Sequence, residues 1–253
     1  MGEPIRVLHI LQRMEAGGTQ ALLMNIYRKI DRTKVQFDFL VVYKEKQFYD
    51  DEIESMGGHV YKLSFREDLN LPKFQKDLKN LFKQHHEYQI VHCHAYTIGY
   101  FCLKAAKKAG IPVKIAHSHN NETVHDIKYL PKLFMQRLFT LNATDLFACS
   151  EEAGKYLFKD KPFRVLKNAI DSQQFIANEN IRREVRQELG LENKFVVGHV
   201  GRLHPQKNHD FLIDVFAEIK KKKPDAELIL VGTGPLEEKV RSKVADKGLT
   251  ESV

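Results

Sequence analysis

Short apolar runs rich in β-branched residues alternate with stretches of helical apolar period from one end of this chain to the other, and that alternation limits the fold more than any other feature. Residues 6–12 (RVLHILQ), 36–43 (QFDFLVVY), 59–63, 89–94 (QIVHCH), 113–119 (VKIAHSH), 145–149 (DLFAC) and 163–166 read as strands. Runs that are apolar without a polar alternate mark strands covered on both faces. Between them, Leu22, Leu23, Ile26 and Ile30 repeat at helical spacing after Thr19, a candidate N-cap. A helix over 48–56 stops at Gly57 and Gly58, Pro72 opens another, and further helices run through Cys102 to Lys108 and over 131–142. Ser150 is placed to cap a helix whose first turn carries Glu151 and Glu152, where the dipole favours acids. Strand–helix alternation of this kind builds parallel sheets from right-handed βαβ units, so the class is α/β.

Residues 171–180 are polar and lack periodicity, which makes them the linker between a first domain, 1–170, and a second, 181–253. The second contains a helix over 181–189, a buried strand from Phe195 to Val200, a helix over 208–222, a strand over 227–231 and a helix to about Lys247. Two strands with their helices seldom complete a doubly wound domain. The second domain therefore reads as incomplete and the chain as cut short at its carboxyl end, with an open sheet edge.

With 253 residues, 43% hydrophobic and 29% charged, the composition is that of a folded globular chain. A net charge of +7 favours anionic partners such as phosphates, nucleic acid or an anionic membrane surface, without choosing among them. Cys93, Cys102 and Cys149 lie far apart without a C-x-x-C pair, which suits a reducing cytosol and argues against a disulfide framework. The first residues run straight into a strand without an apolar leader, and no apolar run nears the ~18 residues that span a bilayer. The expectation is a soluble cytoplasmic protein.

Candidate site residues cluster where strands end. Gly201 closes the run that begins at Phe195, and Arg202 follows at once, with Lys207 at the expected start of a helix. In an open α/β sheet ligands bind outside the carboxyl ends of strands, and a planar cation beside a mobile one suits a diphosphate. Gly232-Thr233-Gly234-Pro235 likewise lies between a strand and a helix, with Pro235 suited to the first helical position. Gly17 and Gly18 precede the first helix, where small residues and free N–H groups admit an anion. Neither G-x-G-x-x-G nor a Walker lysine is present. Two His-x-His pairs, His92/His94 and His117/His119, end adjacent predicted strands, and residues i and i+2 share a strand face. They fit hydrogen bonding to hydroxyls or phosphates, ordinary packing, or a metal site to which His125 and Asp126 would add ligands. The helix opened by Pro72 is amphipathic and basic, with Lys73, Lys76, Lys79 and Lys83 opposite Phe74, Leu78, Leu81 and Phe82. A second basic helix lies between Lys128 and Leu141.

Taken together, Gly17-Gly18, IVHCHAY around His94, AHSHN around His119, DLFACS up to Ser150, VLKNAID around Asn168, VGRLHPQKN around Arg202 and Lys207, and VGTGP over 231–235 resemble the retaining, nucleotide-sugar-dependent glycosyltransferases of family four. Their order and spacing match along essentially the whole chain, and the flavour is similar to bacterial members that build exopolysaccharide, capsule or O-antigen. The resemblance implies the GT-B fold: two Rossmann-like parallel-sheet domains facing across a cleft, acceptor held by the first and donor by the second. It assigns Arg202 and Lys207 to the donor diphosphate and its leaving charge, and His119 to the transferred sugar. Gly17, Gly18, Gly232, Thr233 and Gly234 fall to donor binding, and His94 and Asn168 to the acceptor side. It implies a UDP- or GDP-sugar donor, a glycan or polyprenyl-linked acceptor, no metal and no nucleic acid. The basic helices add an expected peripheral contact at the inner membrane face.

Two departures from the family pattern stand out. Ala169 replaces the glycine that follows the asparagine, and the Glu-x7-Glu segment does not occur before Val253. The latter predicts little or no transferase activity from this chain alone. Two other classes remain open from the sequence: a metal-dependent hydrolase on His92, His94, His117 and His119, and a non-catalytic binding remnant.

Overall fold

A computed structural model describes residues 2–120 and 129–253 and divides them into two compact units, Met1–Asp171 and Ser172–Val253. His125, Asp126 and Lys128, singled out above, lie outside the described residues.

In the first unit, seven parallel strands form one sheet: β1 (Ile5–Ile10), β2 (Val35–Val41), β3 (Val60–Lys62), β4 (Tyr88–Cys93), β5 (Val113–Ser118), β6 (Asp145–Ala148) and β7 (Arg164–Val165). Their order is β3-β2-β1-β4-β5-β6-β7, so the chain reverses its direction of travel between β1 and β4. That reversal leaves a crevice at the carboxyl ends of these two strands. Alternate residues of the central strands feed two cores. Leu8 and Ile10 join Leu40, Val91, Cys93 and Ala116 under α3 (Leu71–Gln84), α4 (Tyr96–Lys108) and α6 (Glu151–Phe158). Val7 and Leu11 join Phe37, Phe39 and Val41 under α1 (Gly18–Lys29) and α2 (Asp50–Ser55). α5 (Tyr129–Phe139) packs on α4, where Phe139 fills the space left by Gly99; a Cβ there would stand 2.2 Å from the phenyl ring.

At the amino ends of the strands, Asp38 is fully buried and holds them together. Its carboxylate accepts from Arg6 (2.6 and 2.8 Å), from the Tyr88 hydroxyl (2.9 Å) and from the backbone N–H of His59 (2.7 Å). The hydrogen bond and charge of Asp38 raise the Arg6 pKa, and burial raises that of Tyr88. Removing one partner from such a cluster strands the others without water.

The helix starts differ in detail from the sequence expectation. α1 begins at Gly18 after Gly17, with no side-chain cap, so Thr19 is already helical. Ser150 and Asn70 do cap, accepting from Ala153 and Lys73.

In the second unit, β8 (Phe195–Val200) and β9 (Ala226–Val231) pair in parallel, with α8 (His209–Lys222) and α9 (Glu237–Asp246) packed on one face around Ile213, Phe216, Leu228, Val240 and Val244. β8 is not the buried strand its apolar run suggests: Phe195 is 45% and Val200 80% exposed. Both faces of a strand are covered only where helices lie on both sides, and α8 and α9 occupy one. α7 (Glu179–Glu188), capped by Asn178, buries none of its residues. Two ordered segments fall within the polar stretch read as linker, a 3-10 turn over Ser172–Phe175 and the start of α7.

Candidate active site

The carboxyl end of the first sheet gathers histidines from three neighbouring strands. His9 pairs in register with His92 across β1 and β4, and the next residues along, His94 and His119, follow the ends of β4 and β5. The backbone N–H of His94 donates to Ile10 carbonyl at 2.8 Å, tying the β4 exit to the end of β1. Because i and i+2 share a face, His92/His94 and His117/His119 project from the same side, with ring centroids 4.3 and 4.1 Å apart. His9 was missed by the sequence reading. It stands alone in an apolar strand, and only the β1–β4 adjacency brings it to the others.

Two sets of contacts order these rings. His92 Nε2 meets His117 Nδ1 at 2.9 Å. His9 Nδ1 meets His94 Nε2 at 3.2 Å, and His94 Nδ1 meets His119 Nε2 at 2.8 Å. Between two neutral imidazoles one nitrogen donates and the other accepts. The three-ring chain therefore has two self-consistent tautomeric orders: a proton on His119 Nδ1 with His9 Nε2 bare, or the reverse. Among the described residues these two end atoms, like His117 Nε2, are buried without a hydrogen-bond partner. Burial drives all five rings toward neutrality. It lowers His9 to about 3, His119 to about 4 and His117 to about 2, and puts His92 and His94 well below the usual imidazole value, with neighbouring histidines adding to the shift in all but His119. The array presents neutral donors and acceptors to hydroxyl groups rather than fixed positive charge.

Tyr96, at the first position of α4, was also missed; its hydroxyl accepts from the backbone N–H groups of His119 and Asn120 and fixes the β5 exit. Gly17 and Gly18 lie at the uncapped start of α1, after the loop that leaves β1. A Cβ on Gly18 would meet nothing within 4 Å, and one on Gly17 would meet the end of the Gln20 side chain at 2.6 Å and, at 3.8 Å, the Glu15 carbonyl oxygen. No packing among the described residues of the first unit explains glycine at position 18. Asn168 is exposed beyond β7, two strands past β5, and is not gathered with the histidines.

Imidazole is a ligand for zinc and related ions. His9, His92 and His94 form one triple, and His94, His117 and His119 another, with candidate ligand atoms within 4.8 Å of one another. The ring-to-ring hydrogen bonds already occupy several of those nitrogens, and among the described residues no carboxylate joins either triple.

In the second unit, the exits of β8 and β9 are laced together. Gly201 N–H donates to Val231 carbonyl (2.9 Å), Leu203 N–H to Thr233 carbonyl (2.9 Å) and Leu236 N–H to Leu203 carbonyl (3.1 Å). A Cβ on Gly232 would fall 2.1 Å from the Gly201 oxygen, and one on Gly234 2.5 Å from the Leu203 oxygen. The glycines of 232–234 are thus needed by the neighbouring loop, a reason that spacing alone does not reveal. Pro235 precedes α9 by two residues instead of opening it, since Leu236 turns back to Leu203 first. Lys207 ends a 3-10 turn, Pro205–Lys207, and does not open α8; left-handed Asn208 (φ 48°) separates the two. That turn folds the Lys207 stem over Gly201, whose Cβ position lies 3.5 Å from Lys207 Cδ and Cε. Arg202 and Lys207 are both exposed at one strand exit, and among the described residues neither has an ion-pair partner. Beneath them, the rings of His199 and buried His209 meet at 4.9 Å.

Comparison with known proteins places these features in context. Residues 16–174 match the family Glycosyltransferase Family 4, and residues 181–253 match Glycosyl transferases group 1. The chain is 35% identical over 258 residues to EpsF of Bacillus subtilis (strain 168), to which glycosyltransferase activity is ascribed, covering 98% of this chain and 67% of that protein. It is 26% identical over 245 residues to the UDP-Gal:alpha-D-GlcNAc-diphosphoundecaprenol alpha-1,3-galactosyltransferase of Escherichia coli, covering 92% of this chain and 63% of that protein. In fold it is similar to Anabaena Alr3699/HepE, solved in complex with UDP and glucose, with a TM-score of 0.79 at 20% identity over 98% of this chain and 68% of that one. The chain thus spans about two thirds of the length of these relatives.

Proposed function

The chain belongs to glycosyltransferase family 4, and on that footing we propose that it takes part in moving a sugar from a UDP- or GDP-linked donor to a glycan or polyprenyl-linked acceptor, with retention, during synthesis of a bacterial surface polysaccharide. The observation that carries the reading is the pair Arg202 and Lys207, two exposed cations at one strand exit without a carboxylate partner among the described residues. As the anomeric bond breaks, the departing diphosphate gains negative charge. A guanidinium fork and an ammonium held beside it stabilise that charge more in the transition state than in the ground state. In this reading the two cations do the work otherwise done by a metal, and none is required.

The first unit supplies the sugar side. His119 Nδ1 ends the three-ring chain without a partner among the described residues, and in this reading it turns to a sugar hydroxyl. His94, one ring back, sets the direction of that hydrogen bond and stands on the acceptor side with Asn168. The open space at Gly18 lets donor phosphate approach the uncapped helix start. The UDP named in the E. coli relative and bound in the Anabaena structure supports a UDP donor, and the diphosphoundecaprenol of the former a polyprenyl-linked acceptor. A cytoplasmic protein touching the inner membrane face completes the reading. The family matches do not favour a hydrolase built on the four histidines.

Calorimetry with UDP and GDP tests the donor side. One of the two is expected to bind, and Arg202→Ala and Lys207→Ala each to weaken binding about tenfold or more, as loss of a charge-assisted contact does. Failure of either nucleotide to bind, or unchanged binding in both variants, overturns the assignment of the cations.

A further inference from the structure

Away from the sheet's carboxyl end, α3 and α4 enclose a groove of about 740 Å3 on the outer surface of the first unit. Its floor is apolar, built by Leu78, Phe82, Phe101 and Ala105. Its walls carry two rows of ammonium groups: Lys76, Lys79 and Lys83 from α3, and Lys104 and Lys108 from α4. All five are exposed, and none has an ion-pair partner among the described residues. Elsewhere on the same helix Lys73 is paired, to Asp68 at 2.7 Å. No described Asp or Glu lines the groove.

Lys104 Nζ donates to the Tyr100 hydroxyl at 3.3 Å, but no described carboxylate pairs with any of the five. Five like charges gathered in this way repel one another, a partner that brings negative charge relieves the repulsion, and the apolar floor adds a requirement that simple anions do not meet. We propose that this groove seats the headgroup of an anionic phospholipid at a bilayer surface, with phosphate between the lysine rows and the first chain methylenes over Phe82 and Phe101. Lysine suits such a partner because its stem lies along apolar surface while its ammonium stays at the polar level. Size agrees as well, since the groove lies within the range of about 300–1,000 Å3 typical of ligand clefts. The inference rests on the membrane contact of the proposed function and names its surface. Its test involves no sugar transfer or nucleotide, so either can fail without the other.

The test is co-sedimentation of the purified chain with phosphatidylcholine vesicles, with and without one quarter phosphatidylglycerol. Binding is expected only with the anionic lipid. Each lysine at such a surface contributes roughly a factor of five, so Lys76→Ala/Lys79→Ala/Lys83→Ala lowers partitioning about a hundredfold. Lys221→Ala/Lys222→Ala/Lys223→Ala at the carboxyl end of α8 removes the same charge from the other unit and is expected to change it less than threefold. The single variant Lys104→Glu reads the second row if the triple variant folds poorly. Absence of binding to anionic vesicles overturns the proposal, as does equal loss in the two triple variants. Displacement by glycerol 3-phosphate would mean a bare phosphate site, and tighter binding of a short nucleic-acid duplex a different partner; either outcome also overturns it.

Discussion

Lowering the pH from 7 to 5 should destabilise the first unit by an amount that its buried histidines set. His9, His117 and His119 are held neutral by burial, with pKa values lowered to about 3, 2 and 4. In the unfolded chain each returns to about 6.5 and binds a proton below that pH. A group whose folded pKa is depressed in this way takes up its proton only on unfolding, so stability falls as pH drops below 6.5 and goes on falling toward the folded value. For one such imidazole the loss between pH 7 and pH 5 is about 2 kcal/mol, and for the three about 6 kcal/mol. His92 and His94 shift the same way and add to it. Domains are stable by roughly 5–15 kcal/mol, so a loss of this size moves the urea midpoint a long way. Carboxylates do not mask the effect, because their titration lies mostly below this window. Urea unfolding followed by circular dichroism at pH 7, 6 and 5 measures it; the chain contains no tryptophan to report by fluorescence. His9→Gln removes one of these protons and should flatten the dependence by about 1.4 kcal/mol per pH unit between pH 6 and 4. Stability unchanged between pH 7 and 5, or an unchanged slope in His9→Gln, would refute the picture of a neutral, buried array.

Asp38→Asn should cost roughly 2–4 kcal/mol in the same urea assay, because Arg6 keeps its charge and loses its buried counter-ion. A loss under 0.5 kcal/mol would show that the cluster contributes little. The glycines separate two roles. Gly232→Ala drives a methyl to 2.1 Å from backbone oxygen and should destabilise the second unit by more than about 2 kcal/mol, whereas Gly18→Ala meets open space and should leave thermal stability within about 0.5 kcal/mol. If Gly18→Ala nevertheless lowers nucleotide-sugar affinity, the space at the α1 start is ligand space; unchanged affinity removes Gly18 from the donor site.

How much of this could be read before the structure follows from which interactions are local. The βαβ alternation, the Ser150 cap and the two apolar faces of the first sheet all rest on periods and neighbours within a few residues. What the sequence left unread is set by contacts between distant segments. The exposure of β8 depends on how many helices cover its sheet, which an apolar run does not encode. Pro235 and Lys207 each lie two residues before their helix because backbone bonds to Leu203 and His204 compete with helix initiation.

The site itself divides along the same line. A His-x-His spacing fixes that two rings share one face of one strand, and nothing more. Whether two such pairs meet depends on strand order, and here β4 and β5 are neighbours both in sequence and in the sheet. His9 enters from β1, which neighbours β4 only because the chain reverses direction there. That third ring changes the chemistry. Without His9, His94 would have a free nitrogen, and the tautomer of His119 would be set by a single contact. With it, the protonation state of a ring at the sheet's carboxyl end is bound to that of a ring buried beside Phe37, 4.3 Å between centroids. A sugar hydroxyl that accepts from His119 and one that donates to it would then select opposite orders of the same chain. His9→Phe should leave His119 in place and remove that coupling. The 15N shifts of the two His119 nitrogens, which separate protonated from bare, would move toward averaged values in the variant; shifts identical to those of the parent chain would show that His9 has no hold on the outer ring.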